Sequence, residues 1–256
     1  MAKELFNDGN HRCIAFTDLV SGDGIQSNQF LIIDGNESMV LDPGGQLTFT
    51  PLTMKLRQFL EPKLLTYIFA SHQDPDIIAS LESWITRTQA RVICSKLWSR
   101  FVPHLVPSYL DMKIESRIMA VPDEGMNLKL GNSTLKIIPA HFLHSVGNFQ
   151  IYDPVSKILF SGDMGASLHD DADMSPVEDF NQHTSSMTGF HQRYMVNNKI
   201  CGLWANMVRQ LDLDMMVPQH GKPFQGKTIN QFLDWISSLS CGTDLVTQQN
   251  YQIPVS

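Results

Sequence analysis

The sequence predicts an α/β fold in which two mixed sheets pack face to face with helices outside. Apolar strand-like runs alternate with helix-like patterns through the first half of the chain. A second series of strands then closes with helical segments, so each half places strands before helices. A hydrophobic fraction of 43% over 256 residues supplies enough apolar side chain for a substantial core.

Residues 29–34 (QFLIID) and 38–42 (SMVLD) are strand-like, and Gly35-Asn36-Glu37 between them is a hairpin signal. The second run ends at the breaker Asp42-Pro43-Gly44-Gly45. Residues 53–60 carry Met54, Leu56, Phe59 and Leu60 at helical spacing. Residues 64–70 (LLTYIFA) form an apolar run that reads as a buried strand. Residues 81–88 predict a helix with Trp84 and Ile85 on its core face, and 91–94 predict a short strand. Residues 117–121, 128–130, 134–139, 149–152 and 158–160 all have β-like composition, with Gly131-Asn132 and Asp153-Pro154 as turns. The polar stretch 167–188 predicts a surface loop. A helix is expected over 194–211, a strand over 214–217, a closing amphipathic helix over 228–239 and an extended tail over 242–256. Residues 1–256 read as a single domain.

A formal charge of -7 without a Lys/Arg cluster argues against a nucleic-acid surface and disfavours an anionic membrane. No apolar run approaches the roughly 20 residues a membrane-spanning helix needs. The N-terminus lacks the apolar stretch of a signal peptide, so a cytoplasmic location is expected. Cys13, Cys94, Cys201 and Cys241 form no CxxC pair, which excludes a zinc-ribbon centre and predicts reduced structural thiols. The methionines are expected to fill the core.

The chemistry concentrates where the 64–70 run opens into Ser71-His72-Gln73-Asp74-Pro75-Asp76-Ile77. Three residues able to bind metal stand there at alternate positions. Alone, the stretch is either a turn of solvated polar residues or one arm of a metal site. Three further ligand-capable residues each follow a predicted strand: His144 in PAHFLHS, Asp163 in FSGDM and His220 in VPQHG. Loops at one edge of an α/β sheet are where sites gather. Asp170, Asp171 and Asp173 read as a solvated loop, since no Glu stands where a calcium loop closes. His183 and His191 are candidates to line a pocket, whereas His11, His104 and His169 have no motif context.

This pattern resembles the metallo-β-lactamase fold, an αββα sandwich whose first metal arm reads HxHxDH. Within that superfamily it is most similar to the flavodiiron branch, whose arm is HxExDH and which carries a carboxylate where Asp74 stands. Eighteen residues separate His144 from Asp163, the spacing of that branch. The likeness covers about residues 25 to 240 and is nearest to oxygen-binding diiron proteins that lack the flavodoxin domain. The resemblance implies two irons: one held by His72, Asp74 and His144, the other by Asp76 and His220, with Asp163 bridging. It gives Asp42 a supporting role at a strand end; His141 shares the His144 loop and is expected as a hydrogen-bonding neighbour rather than a ligand.

One departure matters most. Ile77 stands where the family motif has its last histidine, which leaves the second metal short of one protein ligand and makes that side of the pocket apolar. The implied function is O₂ binding for sensing or storage, with no flavin in this chain and a separate signalling protein as partner. The alternatives are an O₂ or NO reductase supplied by a separate flavoprotein or rubredoxin, and a metallo-hydrolase. A homodimer is compatible with each.

Overall fold

In a computed structural model of the chain, residues 1–20, 23–106, 114–167 and 174–254 are described. Two antiparallel hairpin strands, β1 (Ala2–Asn7) and β2 (His11–Phe16), begin the first sheet and are followed by β3 (Gln29–Asp34) and β4 (Glu37–Leu41). The chain then crosses over through α1 (Gln46–Leu56) to β5 (Tyr67–Phe69). It continues through α2 (Pro75–Ile78) and α3 (Leu81–Arg87) to β6 (Arg91–Ser95) and β7 (Ile118–Val121). These strands lie in numerical order, antiparallel from β1 to β4 and parallel from β4 to β7.

The second sheet contains β8 (Met126–Leu130), β9 (Ser133–Pro139), β10 (Phe149–Asp153) and β11 (Ile158–Phe160). Helices α4 (Phe180–Tyr194) and α5 (Asn198–Val208) precede β12 (Met215–Val217) and β13 (Phe224–Gln225), and α6 (Lys227–Ser238) follows. All its pairs are antiparallel except β11 with β12.

Strand alternation divides the apolar residues between layers. Phe30, Ile32, Met39 and Leu41 face the second sheet, where they join Leu135, Ile137, Ile151 and Phe160 in the inner core. Their neighbours Leu31 and Val40 face outward and pack with Leu52, Leu81 and Trp84 of the first helical layer. Met187, Cys201, Trp204 and Phe232 form the other outer layer. Each fully buried Ile, Leu or Phe contributes about 1.5–3 kcal/mol relative to exposure. The expected helix–sheet–sheet–helix sandwich is the observed one.

Several local expectations are corrected. The hairpin β1–β2 carries little local signal because β1 mixes partly buried with exposed polar residues without a period-2 alternation. Helix α1 begins at Gln46 and ends at Leu56, running through Pro51, because burial of Thr48, Leu52 and Leu56 outweighs the local break. The polar stretch ends in helix from Phe180 onward, where Asp179 accepts a hydrogen bond from the Gln182 backbone N–H at 3.2 Å and caps α4. Residues 168–173, with their three aspartates, lie outside the described residues. The helix expected over 194–211 starts at Asn198, capped by Asn197, leaving a break after Tyr194. The tail is not simply extended; Gly242–Asp244 and Gln248–Asn250 are single 3₁₀ turns. No helix among the described residues is long and apolar enough to cross a membrane.

Candidate metal centre

Strands β4, β5, β9, β11 and β12 end at the same edge of the sandwich, and each is followed by a candidate side chain. Asp42 follows β4, and the segment after β5 carries His72, Asp74 and Asp76. His141 and His144 follow β9, Asp163 follows β11, and His220 follows β12. Close backbone packing makes this possible. Gly221 has φ +86°, and a Cβ there would run into Ser167, so glycine lets the His220 turn lie against the Asp163 loop. Gly44, at φ +85°, donates its backbone N–H to the Ile77 carbonyl at 2.8 Å, bracing the turn that carries Asp76.

Asp163 is the hub, and its two oxygens face different groups. Oδ2 lies 3.4 Å from His72 Nε2 and 2.9 Å from His144 Nε2. Asp74 Oδ2 completes that set, 3.8 Å from His72 Nε2 and 3.3 Å from His144 Nε2. Oδ1 lies 3.6 Å from His220 Nε2, which is itself 3.4 Å from Asp76 Oδ2. The first set thus offers four donor atoms and the second three. Ligand atoms sharing an octahedral ion at bond lengths of about 2.1 Å sit roughly 3 Å apart, which matches the closest of these separations.

The electrostatics point the same way. His72 Nε2 and Asp163 Oδ1 are buried with no hydrogen-bond partner, an arrangement costing about 1–3 kcal/mol per group unless something else meets them. Burial opposes charge on His144 and His220. Hydrogen bonds from His144 to Asp163 and Asp74, and from His220 to Asp76, outweigh it and raise them to about 10 and about 9. Burial would also raise Asp163, yet the three imidazoles hold it far below the usual carboxylate range. The cluster is built around positive charge.

Neighbouring groups fix the ring orientations. His72 Nδ1 meets Ser71 Oγ at 2.9 Å, and the Ser71 backbone N–H donates to Asp42 Oδ1 at 2.8 Å. Burial pushes the Asp42 carboxyl up to about 6. His220 Nδ1 meets the Gln26 carbonyl at 2.7 Å, leaving Nε2 for the cluster. His141 turns elsewhere, its Nε2 meeting the Asp123 carbonyl at 2.8 Å. Ile77 is wholly buried in the outer core beside α1 and α3.

A cleft of about 580 Å³ opens over the cluster, lined by Asp74, Asp76, His144, Asp163 and His220. Val20, Ile25, Leu47, Ala79, Phe190 and Tyr194 are among the apolar and aromatic residues of its remaining wall. Neither Ile77, His183 nor His191 lines it. His183 packs edge-on against Phe224 at 5.8 Å. His191 lies below the cluster; burial pushes it down to about 4, and its Nε2 accepts the Gly165 N–H at 3.1 Å, bracing the loop after Asp163. Phe190 and Tyr194 stack at 4.8 Å, with Tyr194 5.4 Å from the His144 ring. The expected loop (167–188) and helix (194–211) leave Phe190 outside both and so separate it from Tyr194; the i, i+4 aromatic spacing was the available signal.

Comparison with known proteins agrees with this architecture. Solved structures of the chemotaxis sensor ODP are similar over nearly the whole chain. The apo state from T. denticola has 40% identity and a TM-score of 0.85, covering 98% of both chains. The structure of its peroxy diiron species has 39% identity and a TM-score of 0.85, covering 97% of this chain and 98% of that one. The flavodiiron core of Flv1 from Synechocystis sp. PCC6803 shares the fold at a TM-score of 0.75 and 16% identity, over 92% of this chain and 61% of that one. An uncharacterized protein of Methanocaldococcus jannaschii is 26% identical over 218 residues, 83% of this chain and 53% of that protein. The chain spans about half the length of the first curated relatives it matches. The family model described as ODP family beta lactamase matches residues 25–221, and the chain belongs to that family.

Proposed function

We propose that this chain holds two irons in the His/Asp cluster and binds O₂ there, as an oxygen sensor or store. The observation that carries the reading is the unequal donor set around the divided Asp163 carboxylate. His72, Asp74 and His144 would hold one iron with Asp163 Oδ2; Asp76 and His220 would hold the other with Oδ1. Ile77, an aliphatic residue where the resembling motif has imidazole, adds no donor to the smaller set. A ferrous pair supplies the electron density that binding a neutral diatomic requires.

The chain's own residues select the ligand. Ile25, Leu47, Ala79 and Phe190 make the cleft mostly apolar, favouring neutral O₂ over a charged ester or phosphate. With the carboxylate at Asp74, this weighs against a metallo-hydrolase. Similarity to the chemotaxis sensor supports a signalling role, exercised through a partner that distinguishes the oxygenated from the oxygen-free chain. A reductase supplied by a separate flavoprotein or rubredoxin is the second reading, since the same donor set would serve O₂ or NO reduction.

Anaerobic loading with Fe(II), iron counting, and optical spectra under O₂ and then argon test the proposal. Two irons per chain and an absorption change that reverses under argon are expected. Irreversible conversion would favour the reductase, and fewer than two irons would overturn the diiron assignment.

A further inference from the structure

Two thiols that are distant in sequence meet in the second helical layer. Cys201 lies on the buried face of α5 beside Trp204, Ala205 and Val208. Cys241 follows α6 and caps the 3₁₀ turn Gly242–Asp244. Their sulfurs are 3.8 Å apart across 40 residues of chain. A disulfide requires about 2.05 Å, so closure asks the sulfurs to approach by roughly 2 Å through side-chain rotation.

The cover over Cys241 is thin. Ser240, Thr243, Asp244, Leu245 and Val246 are all exposed, so opening of this turn uncovers the thiol. The same turn connects to the metal-site loop. The Thr243 N–H donates to the Val196 carbonyl at 2.7 Å, and the Val196 N–H donates to the Phe142 carbonyl at 3.3 Å, two residues before His144. A groove of about 540 Å³ runs along this path, lined by Phe142, His144, Tyr194, Thr243, Leu245 and Val246.

We propose that Cys201 and Cys241 are a modification site at which hydrogen peroxide closes a disulfide, clamping the C-terminal segment beside the groove that reaches His144. One sulfur attacks a peroxide oxygen, the O–O bond breaks, and water leaves with the thiol proton, giving a sulfenic acid. The second sulfur displaces that hydroxyl, which leaves as a second water with the remaining thiol proton. The two sulfurs lose two electrons in total and the peroxide gains them. Burial, assisted by Asp244, holds the Cys241 thiol above its ordinary range, so the reaction proceeds through the opened turn and is slow at rest. The site does not depend on the iron assignment.

The test exposes the intact protein, metal-free and Fe(II)-loaded, to hydrogen peroxide, followed by alkylation in denaturant and peptide mass mapping. Two of the four thiols are expected to disappear together in a linked 201–241 peptide that dithiothreitol releases, while Cys13 and Cys94 remain alkylated. Proteolysis within residues 245–254 should slow about 10-fold in the linked form. Cys201→Ala and Cys241→Ala should each abolish the link; Cys94→Ala should preserve it. Cys241 recovered as unlinked sulfinic acid would overturn the proposal. So would four intact thiols at a peroxide dose that oxidises exposed methionine, or a link that leaves proteolysis unchanged.

Discussion

The two ends of the sandwich carry clusters of the same residue types with opposite accounts of their polar atoms. At one end, ligand-capable atoms of His72, Asp74 and His144 lie within 4.8 Å of one another; at the other, those of His11, Cys13 and Asp153 do the same. His11 sits on β2 of the first sheet, with Nδ1 2.9 Å from Asp34 Oδ2 and Nε2 2.7 Å from Asp153 Oδ2 on β10 of the second sheet. Ser133 and Ser156 donate to those carboxylates, and backbone N–H groups of Asn132 and Val155 occupy their other oxygens. Nothing in that His/carboxylate network is left over. At the metal end His72 Nε2 and Asp163 Oδ1 have no partner. Proximity of imidazole and carboxylate is therefore common to both ends, and unmet polar atoms within the cluster distinguish the end proposed to hold metal.

The sharpest way to break this contrast is Asp163→Ala. Iron affinity should fall about a thousandfold, or about 4 kcal/mol, while the metal-free chain loses less stability than in His11→Ala, because His144 keeps Asp74 and His220 keeps Asp76. A metal-free variant as destabilised as one at His11 would erase the distinction. Next comes His11→Ala, which leaves Asp34 and Asp153 buried without their cation. Denaturant unfolding should show a loss of about 3 kcal/mol with iron stoichiometry unchanged.

His191→Leu should have a smaller effect, since it strands the buried Gly165 N–H. A loss of about 2 kcal/mol and an iron affinity lowered about 10-fold are expected from unfolding and metal titration. The smallest effect is the pH dependence of the His11 node. Burial opposes the charge on His11, but Asp153 and Asp34 raise its value; burial opposes ionised Asp34 and Asp153, yet their hydrogen bonds lower theirs. The His11 contribution is complete below about 6.5 and is lost as pH rises through the raised value. That of the carboxylates is complete above about 3.9 and is lost as pH falls through the lowered values. Urea midpoints should therefore be highest between these limits and fall on either side, and in His11→Phe the fall on the alkaline side should disappear.

The metal end was legible in the sequence because each arm is short-range: an apolar strand, then His or Asp at a breaker, repeated after β5, β9, β11 and β12. The His11 node was not, because its partners stand 23 and 142 residues away and no local spacing announces them. The Cys201–Cys241 contact was hidden for the same reason. Ile77 was legible as a departure from a motif, but its complete burial among outer-core side chains depends on how α1 and α3 pack. Helix α4 escaped because its mean composition is polar and its buried face, Phe180, His183, Met187 and His191, is spaced among serines, threonines and glutamines.

The ring of strand ends around Asp163 also sets a timetable. Its donors enter the chain between residues 72 and 220 and from both sheets, so no partly synthesised chain holds a complete set. The last imidazole of the proposed set, His220, follows β12, which pairs with β11 across the stretch of chain that carries α4 and α5. Non-local pairings of this kind form late in folding. Two irons held as proposed would therefore bind only to a chain whose two halves have come together.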